Sequence, residues 1–471
     1  MPIKIRFFFV AAIVYLPYMA LFAQKHDYNC IMGYAGGPPT PEFGNMRLSF
    51  QILPPQVYSE NRGLYFGVCG GPMSDSSGNL LFYTNGLKIY NSQNQVMENG
   101  SPINPGPVWN SSDPDGYPSV NPVFALPKPG SPHIYYILHS DVMNANGESF
   151  VSHLYYSVID VKANNGAGAV LQRNEMILEG DLGWPSAVKH GNGRDWWIMI
   201  SKRGETEHYL YMLSPAGITG PFIQDIGPVF EDVEYPGKSI FSQSGNIYAR
   251  LDSKSALRIY DFDRCWGQLS NVRVFPFQFN DGFNPLSLTF SPNDHFLYLA
   301  RPRWVWTLDL QAPNIAVSFD TLAYWELNYC PSYPWGSQYW MGQLMPDNKI
   351  YFTTFSGSTR CMNVIHRPDL PGDAADCEEC GLSLPRFNRL TTCHFPNYQL
   401  GEWNDAPCDT INAQLPGDGF MATLYSPEQK PPQAFKGLKN DYKILHSLPT
   451  ATCENCKPNE RALLNNISDR Q

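Results

Sequence analysis

Eleven cysteines, ten histidines and a few acidic turns are the residues of this 471-residue chain that could carry chemistry. Cys377 and Cys380 enclose two residues, as do Cys453 and Cys456, and that is knuckle spacing: four such thiolates brought together would hold a structural zinc ion. Seventy-two residues separate the pairs, and cysteines in an exported chain read first as disulfides, so both readings stand, with a third in which the thiols stay reduced. The odd total leaves at least one thiol free or shared with another chain. The histidines are scattered, with no His-x-His or His-Glu-x-x-His pair to grip a metal, and no cofactor is expected.

The acidic motifs read as turns. Asp75, in the string SDSSG from Ser74, suits an Asx-type turn, since a short carboxylate can take the backbone N–H groups that follow it. Asp113 and Asp115 stand close together as in calcium loops, but without a bidentate Glu downstream they read as a polar surface loop. The pair Asp232 and Glu234 has the chemistry of acid/base work on a glycoside and equally that of two solvated loop acids. No Gly-x-Ser-x-Gly elbow supports a serine hydrolase of the common α/β type.

The elements that would position these residues repeat. Six turns of Gly, Asn, Asp or Ser run into short aliphatic–aromatic strands: GNLLFY from Gly78, SPHIYYI from Ser131, GRDWWIM from Gly193, GNIYAR from Gly245, NDHFLYL from Asn293 and DNKIYF from Asp347. Their starts lie 53, 62, 52, 48 and 54 residues apart, and a strand-rich unit of about 50 residues is the mark of a β-propeller blade. Each turn-plus-strand has a strand before it and another after it, which predicts four-stranded antiparallel blades. At the ends, IMGYAGG from Ile31 and NMRLSFQ from Asn45 lack a first partner, while HFPNYQLG from His394 lacks followers. Pairing them removes the open edges of a circular array. The fold predicted is all-β, a seven-bladed propeller closed by both termini; six blades with a capping hairpin is the alternative.

Composition agrees. Charged residues make up 16% against a typical 25% or so, while aromatics reach 14%, and Gly and Pro number 38 and 41, which favours short strands over helices. Lys4 and Arg6 precede the apolar run from Phe7 to Phe22 and the small Ala23, the order of a secretory signal cleaved before Gln24. Sixteen apolar residues interrupted by Pro17 are short for a span of about 20, so no membrane span is expected after cleavage. A net charge of −10, with no basic cluster beyond Lys202 and Arg203, argues against nucleic acid as a partner. The division expected is 1–23 signal peptide, 24–410 propeller and 411–471 a C-terminal extension, partly disordered, with the SPEQKPPQ stretch inside it.

The strings SDSSGNLLFYTNGLKIYNSQNQVMENG (74–100), LYYSVIDVKANNGAGAV (154–170), SAVKHGNGRDWWIM (186–199), LTFSPNDHFLYLA (288–300), MGQLMPDNKIYF (341–352) and FPNYQLGEWNDAPCDT (395–410) resemble the exported β-propeller region of gliding-motility-associated, type IX-secreted proteins. The resemblance implies a blade scaffold, with an address that is periplasmic, cell-surface or secreted, and it assigns no catalytic residue. His190 matches a family position at the end of a first strand, where a side chain can approach the axial channel. Trp196, Trp197, Tyr209 and Tyr211 suit packing between blades. Trp304, Trp306, Trp325, Trp335 and Trp340 are denser than packing needs, and NYCPSYPWGSQYW from Asn328 lies in a Pro-rich connection. Tyr333, Trp335, Tyr339 and Trp340 are therefore the candidate recognition surface for a protein or glycan partner. The function expected is a non-catalytic binding or scaffold module at the cell envelope; a polysaccharide-active hydrolase or lyase at the channel mouth is the alternative.

Overall fold

The computed structural model describes residues 24–34, 41–119, 123–145, 148–229, 236–252, 256–277, 287–325, 336–403 and 408. They form seven antiparallel blades around an axis. Blade 1 comprises Met73–Ser74, Leu80–Thr84 and Ile89–Asn91, with Val96 bridging Tyr90 at its outer edge. Blades 2 to 6 are four-stranded sheets in simple up-and-down order, starting at Phe124–Pro127, Ser186–Lys189, Pro236–Phe241, Ser287–Phe290 and Tyr339–Leu344. Blade 7 takes Asn29–Gly33, Asn45–Ser49 and Gln56–Glu60 from the start of the chain.

Closure uses both ends, as expected, but at a different place. The short strand Thr392–Cys393 runs parallel to Cys69–Gly70, and a disulfide ties Cys393 to Cys30 of blade 7. The residues read in the sequence as the closing strand, from His394 onward, instead leave the sheet. Pro396 has no N–H to give a ladder, and elsewhere Tyr398 finds a buried site and Phe395 a partly buried one.

The core lies between blades. Along Trp196–Ser201, Trp196, Ile198 and Ile200 face the cluster shared with blades 1 and 2, while Trp197 and Met199 face the one shared with blade 4. Along Phe296–Arg301, Leu297 and Leu299 pack toward blade 4 and Phe296, Tyr298 and Ala300 toward blade 6. Alternate side chains of one strand enter opposite faces, so both faces must be apolar, and the sequence loses a clean polar–apolar alternation.

The turns between first and second strands explain the repeated Gly, Asn and Asp. Gly78, Gly193 and Gly245 have φ of 87°, 66° and 77°, and Asp294 and Asn348 occupy the same left-handed region at 59° and 61°. Asn and Asp tolerate that region better than other side chains because they bond locally to the backbone. Gly193 is further restricted, since a Cβ there would sit 2.6 Å from the Glu402 backbone nitrogen.

Candidate functional site

Both chain ends fold over the face onto which these turns open. At the start, Lys25 N donates to Ser76 O, Ser74 N to His26 O, and His26 Nδ1 to Ser74 O at 2.6 Å. At the other end, residues 394–403 cross the axis. Tyr398 Oη donates to Ala125 O of blade 2 at 2.7 Å, Asn397 Nδ2 to Gln243 O of blade 4 at 2.8 Å, and Trp403 N to Gly191 O of blade 3. Arg264 Nη2 donates to Gly401 O at 2.6 Å, and the Cys265–Cys408 disulfide anchors the chain just beyond. The crossing segment is thus tied to three blades and capped by a covalent bond.

Between this segment and the turns of blades 4, 5 and 6 lies a cavity of about 600 Å³. Its walls are rich in amides, Gln243, Asn293, Gln343, Asn348, Asn397 and Gln399, with Phe395 and Leu400 beside them. The amides stand on rigid supports. Asn397 Oδ1 accepts from Gln399 N, Asn293 Oδ1 from His295 N, and Asp294 takes Gln243 N and Ser244 N on its two oxygens at 2.6 and 2.7 Å. Asp27 also faces the cavity. Its Oδ1 is shut from solvent and has no hydrogen-bond partner among the described residues. Burial pushes its carboxyl up to about 7, against a weaker opposing pull from a backbone N–H.

The cavity narrows inward to a pocket of about 70 Å³ walled by the first strands of blades 2 to 6 and by 394–397. Lys238 and His394 lie here. Desolvation draws the Lys238 ammonium down to about 7 and holds the His394 imidazole well below its usual value, with Lys238 adding to the latter effect. At the far end Trp184, Trp340 and Met341 pack together, with Phe355 and Leu390 against them, forming an apolar floor. The axis is therefore graded from apolar floor through cationic neck to amide-lined mouth.

The residues singled out in the sequence fall variously. Tyr339 is 1% exposed inside the cluster between blades 5 and 6, and Trp340 is 8% exposed in the apolar floor. Tyr333 and Trp335 lie outside the described residues, as do Asp232 and Glu234. His190 sits in the turn after the first strand of blade 3, 5% exposed, its Nδ1 accepting from Asn192 N at 3.0 Å and its ring tilted on Trp197. Burial lowers its pKa and Asp195 works against that. Trp304 and Trp306 stack with centroids 6.1 Å apart beneath Arg301, and Trp325 presses on Gly336, where a Cβ would come within 2.5 Å of the indole. Asp75 Oδ1 accepts from Ser77 N and Asn79 N, as an Asx turn requires, and Asp113 is paired with Lys88 at 2.8 Å.

Cys380 is bonded to Cys361, which removes it from any four-thiolate zinc set. Cys69 and Cys377 carry free thiols, both pushed up to about 12 by burial, and Cys453 and Cys456 lie outside the described residues. Ser152, His153 and Asp141 also meet, yet the Ser152 hydroxyl and the Asp141 carboxylate both approach Nδ1 of His153, at 2.9 and 2.7 Å. A nucleophilic relay needs them on opposite nitrogens.

Asp27 and the amides of 397–399 carried no sequence signal, because single polar residues in turns are common. Trp266, 60% exposed beside the Cys265–Cys408 disulfide, is an exposed tryptophan among the described residues that density alone did not pick out.

No family model and no curated protein matches the sequence. Solved structures are similar to it at low identity. A protein from Lactobacillus plantarum shares 10% identity at a TM-score of 0.45, covering 77% of this chain and 98% of its own. A putative 6-phosphogluconolactonase from Bacteroides fragilis shares 9% at 0.42, covering 77% and 96%. The Cps50 β-propeller domain of Myceliophteria thermophila shares 9% at 0.36, covering 70% and 94%. Three disulfides fit an oxidising, exported environment, and among the described residues no helix is long and apolar enough to cross a membrane.

Proposed function

We propose that this propeller is an exported binding module that takes a polar ligand, a glycan segment by preference, at the axial mouth. The observation that carries the reading is the cavity of about 600 Å³ lined by amides and by Asp27, whose Oδ1 has no hydrogen-bond partner among the described residues. Amides offer a donor and an acceptor in one plane, which matches the paired hydroxyls of sugars, and the walls are preorganised by turns, tethers and a disulfide, so little freedom is lost on binding. Exposed Trp266 supplies an aromatic face on blade 4, and the half-buried Trp403 lies under Arg264 at 5.8 Å. Gln399 and Asn348 are exposed, and their side chains can be removed without disturbing a described bond. The test is an oligosaccharide array probed with native protein and with a Gln399→Ala, Asn348→Gly double variant, glycine keeping the left-handed turn at 348 while removing the amide. Loss of the bound glycans at unchanged thermal stability supports the site; identical binding by both proteins overturns it.

One observation favours the hydrolase or lyase alternative. Asp27, held near 7, is a carboxyl that keeps its proton close to neutral pH, as a general acid must. Turnover of a bound oligosaccharide that vanishes in Asp27→Asn would establish it. We also read the chain as a relative of the exported propeller region of gliding-motility-associated, type IX-secreted proteins, on the strings quoted above. N-terminal sequencing of the mature protein tests the export half of that reading: a start at Gln24 supports it, and retention of residues 1–23 counts against it.

A further inference from the structure

We propose that the cationic neck of the axis is a binding site for a small monovalent anion of halide size. Lys238 is 2% exposed, and its described hydrogen bond is from Nζ to Gly342 O at 2.7 Å, which leaves two ammonium N–H groups uncommitted. His394 Nδ1 and Ser186 Oγ line the same pocket, are shut from solvent and have no hydrogen-bond partner among the described residues. The described walls contribute Phe124, residues 184–188, 238–243 and 288–290, Gln343, Leu344 and residues 394–397; within that set Lys238 and His394 are the titratable groups and no carboxylate occurs.

A buried charge needs a counter-charge or a dense set of hydrogen bonds. Here three donors or potential donors line one space of about 70 Å³ with no acid on its described walls. That space takes a halide with roughly one or two waters beside it. The position of Lys238 makes the charge hard to withdraw. It belongs to the first strand of blade 4, Pro236–Phe241, at a bulge flanked by the paired residues Pro236 and Ser239, and its 2% exposure keeps the ammonium away from bulk water. Burial without a carboxylate also depresses the ammonium, an effect that a bound anion reverses. Access comes from the mouth: Gln243, Gln343, Leu344, Phe395, Pro396 and Asn397 line both the neck and the larger cavity. The inference does not depend on what occupies the mouth, because its donors all lie deeper.

The test is thermal unfolding of the oxidised full chain in sodium chloride, bromide and gluconate at one ionic strength. Gluconate is too large for the neck, so it controls for screening. Chloride and bromide should raise the midpoint saturably, by about 2 °C at ten times the dissociation constant, whereas gluconate should not. Lys238→Met should abolish the difference between halide and gluconate. Superimposable curves in chloride and gluconate overturn the proposal, as does a halide effect that survives in Lys238→Met. Should that variant fail to fold, crystals of the native protein soaked in bromide decide the matter. An anomalous peak within hydrogen-bond reach of Lys238 Nζ supports the site, and water-like density without anomalous signal refutes it.

Discussion

If the ring is held shut by the Cys30–Cys393 disulfide, replacing both cysteines with alanine should cost more than removing any local bridge. The two residues are 363 apart in sequence, but the Cys265–Cys408 bond shortens the loop that Cys30–Cys393 closes in the unfolded chain to about 250 residues. Chain-entropy arithmetic for a loop of that length gives about 5.5 kcal/mol. The Cys361–Cys380 bridge spans 19 residues and by the same arithmetic gives about 3 kcal/mol. With an unfolding entropy of about 2 cal/mol/K per residue, the ordered propeller converts these into falls of about 7 °C and 4 °C in Tm. Differential scanning calorimetry of the native protein and of the two double variants, under non-reducing conditions, reads both. A Cys30→Ala, Cys393→Ala protein that melts within about 2 °C of the native one, or above the Cys361→Ala, Cys380→Ala protein, would show that strand pairing alone closes the ring and would refute the reasoning.

Three further outcomes are expected. Asp27 has its carboxyl raised to about 7 in the fold, so its contribution to stability is complete below the unfolded value near 4 and is lost as pH rises through 7; Asp27→Asn should therefore stabilise the protein more at pH 8 than at pH 4, and equal shifts at both would contradict the burial of Oδ1. Gly193→Ala combines φ of 66° with a contact of 2.6 Å to Glu402 N, and should cost roughly 1–3 kcal/mol and loosen the crossing segment, seen as faster proteolysis after residue 400. Tyr398→Phe removes the 2.7 Å bond to the buried Ala125 carbonyl and should cost about 1–2 kcal/mol by chemical denaturation with little change in m value.

Much of the blade architecture was legible because its causes are local. A turn that needs a left-handed residue can be filled comfortably only by Gly, Asn or Asp, so Gly193, Gly245, Asp294 and Asn348 mark blades wherever they recur. Strands buried on both faces, such as Trp196–Ser201, need bulky apolar residues at every position, so their composition marks them too. Each blade touches chiefly its neighbours, and repetition at a period of about 50 therefore carried the ring by itself.

What the period could not carry was anything used once. His394–Trp403 has strand-like composition, yet its course across the axis is set by partners on blades 2, 3 and 4 that lie far away in sequence. Tyr339 and Trp340 read as a recognition surface by aromatic density, but a side chain's exposure depends on which neighbour arrives to cover it, and here blade 5 and Trp184 do so. Cysteine pairing is likewise a matter of distance after folding, and so Cys380 joined Cys361 rather than a distant knuckle. The blades follow from local causes, backbone sterics and two-sided burial acting within each unit of about 50 residues. Where the chain ends cross, which aromatics are hidden and which charges meet at the axis were set by folding, because those depend on residues brought together across the ring from distant parts of the chain.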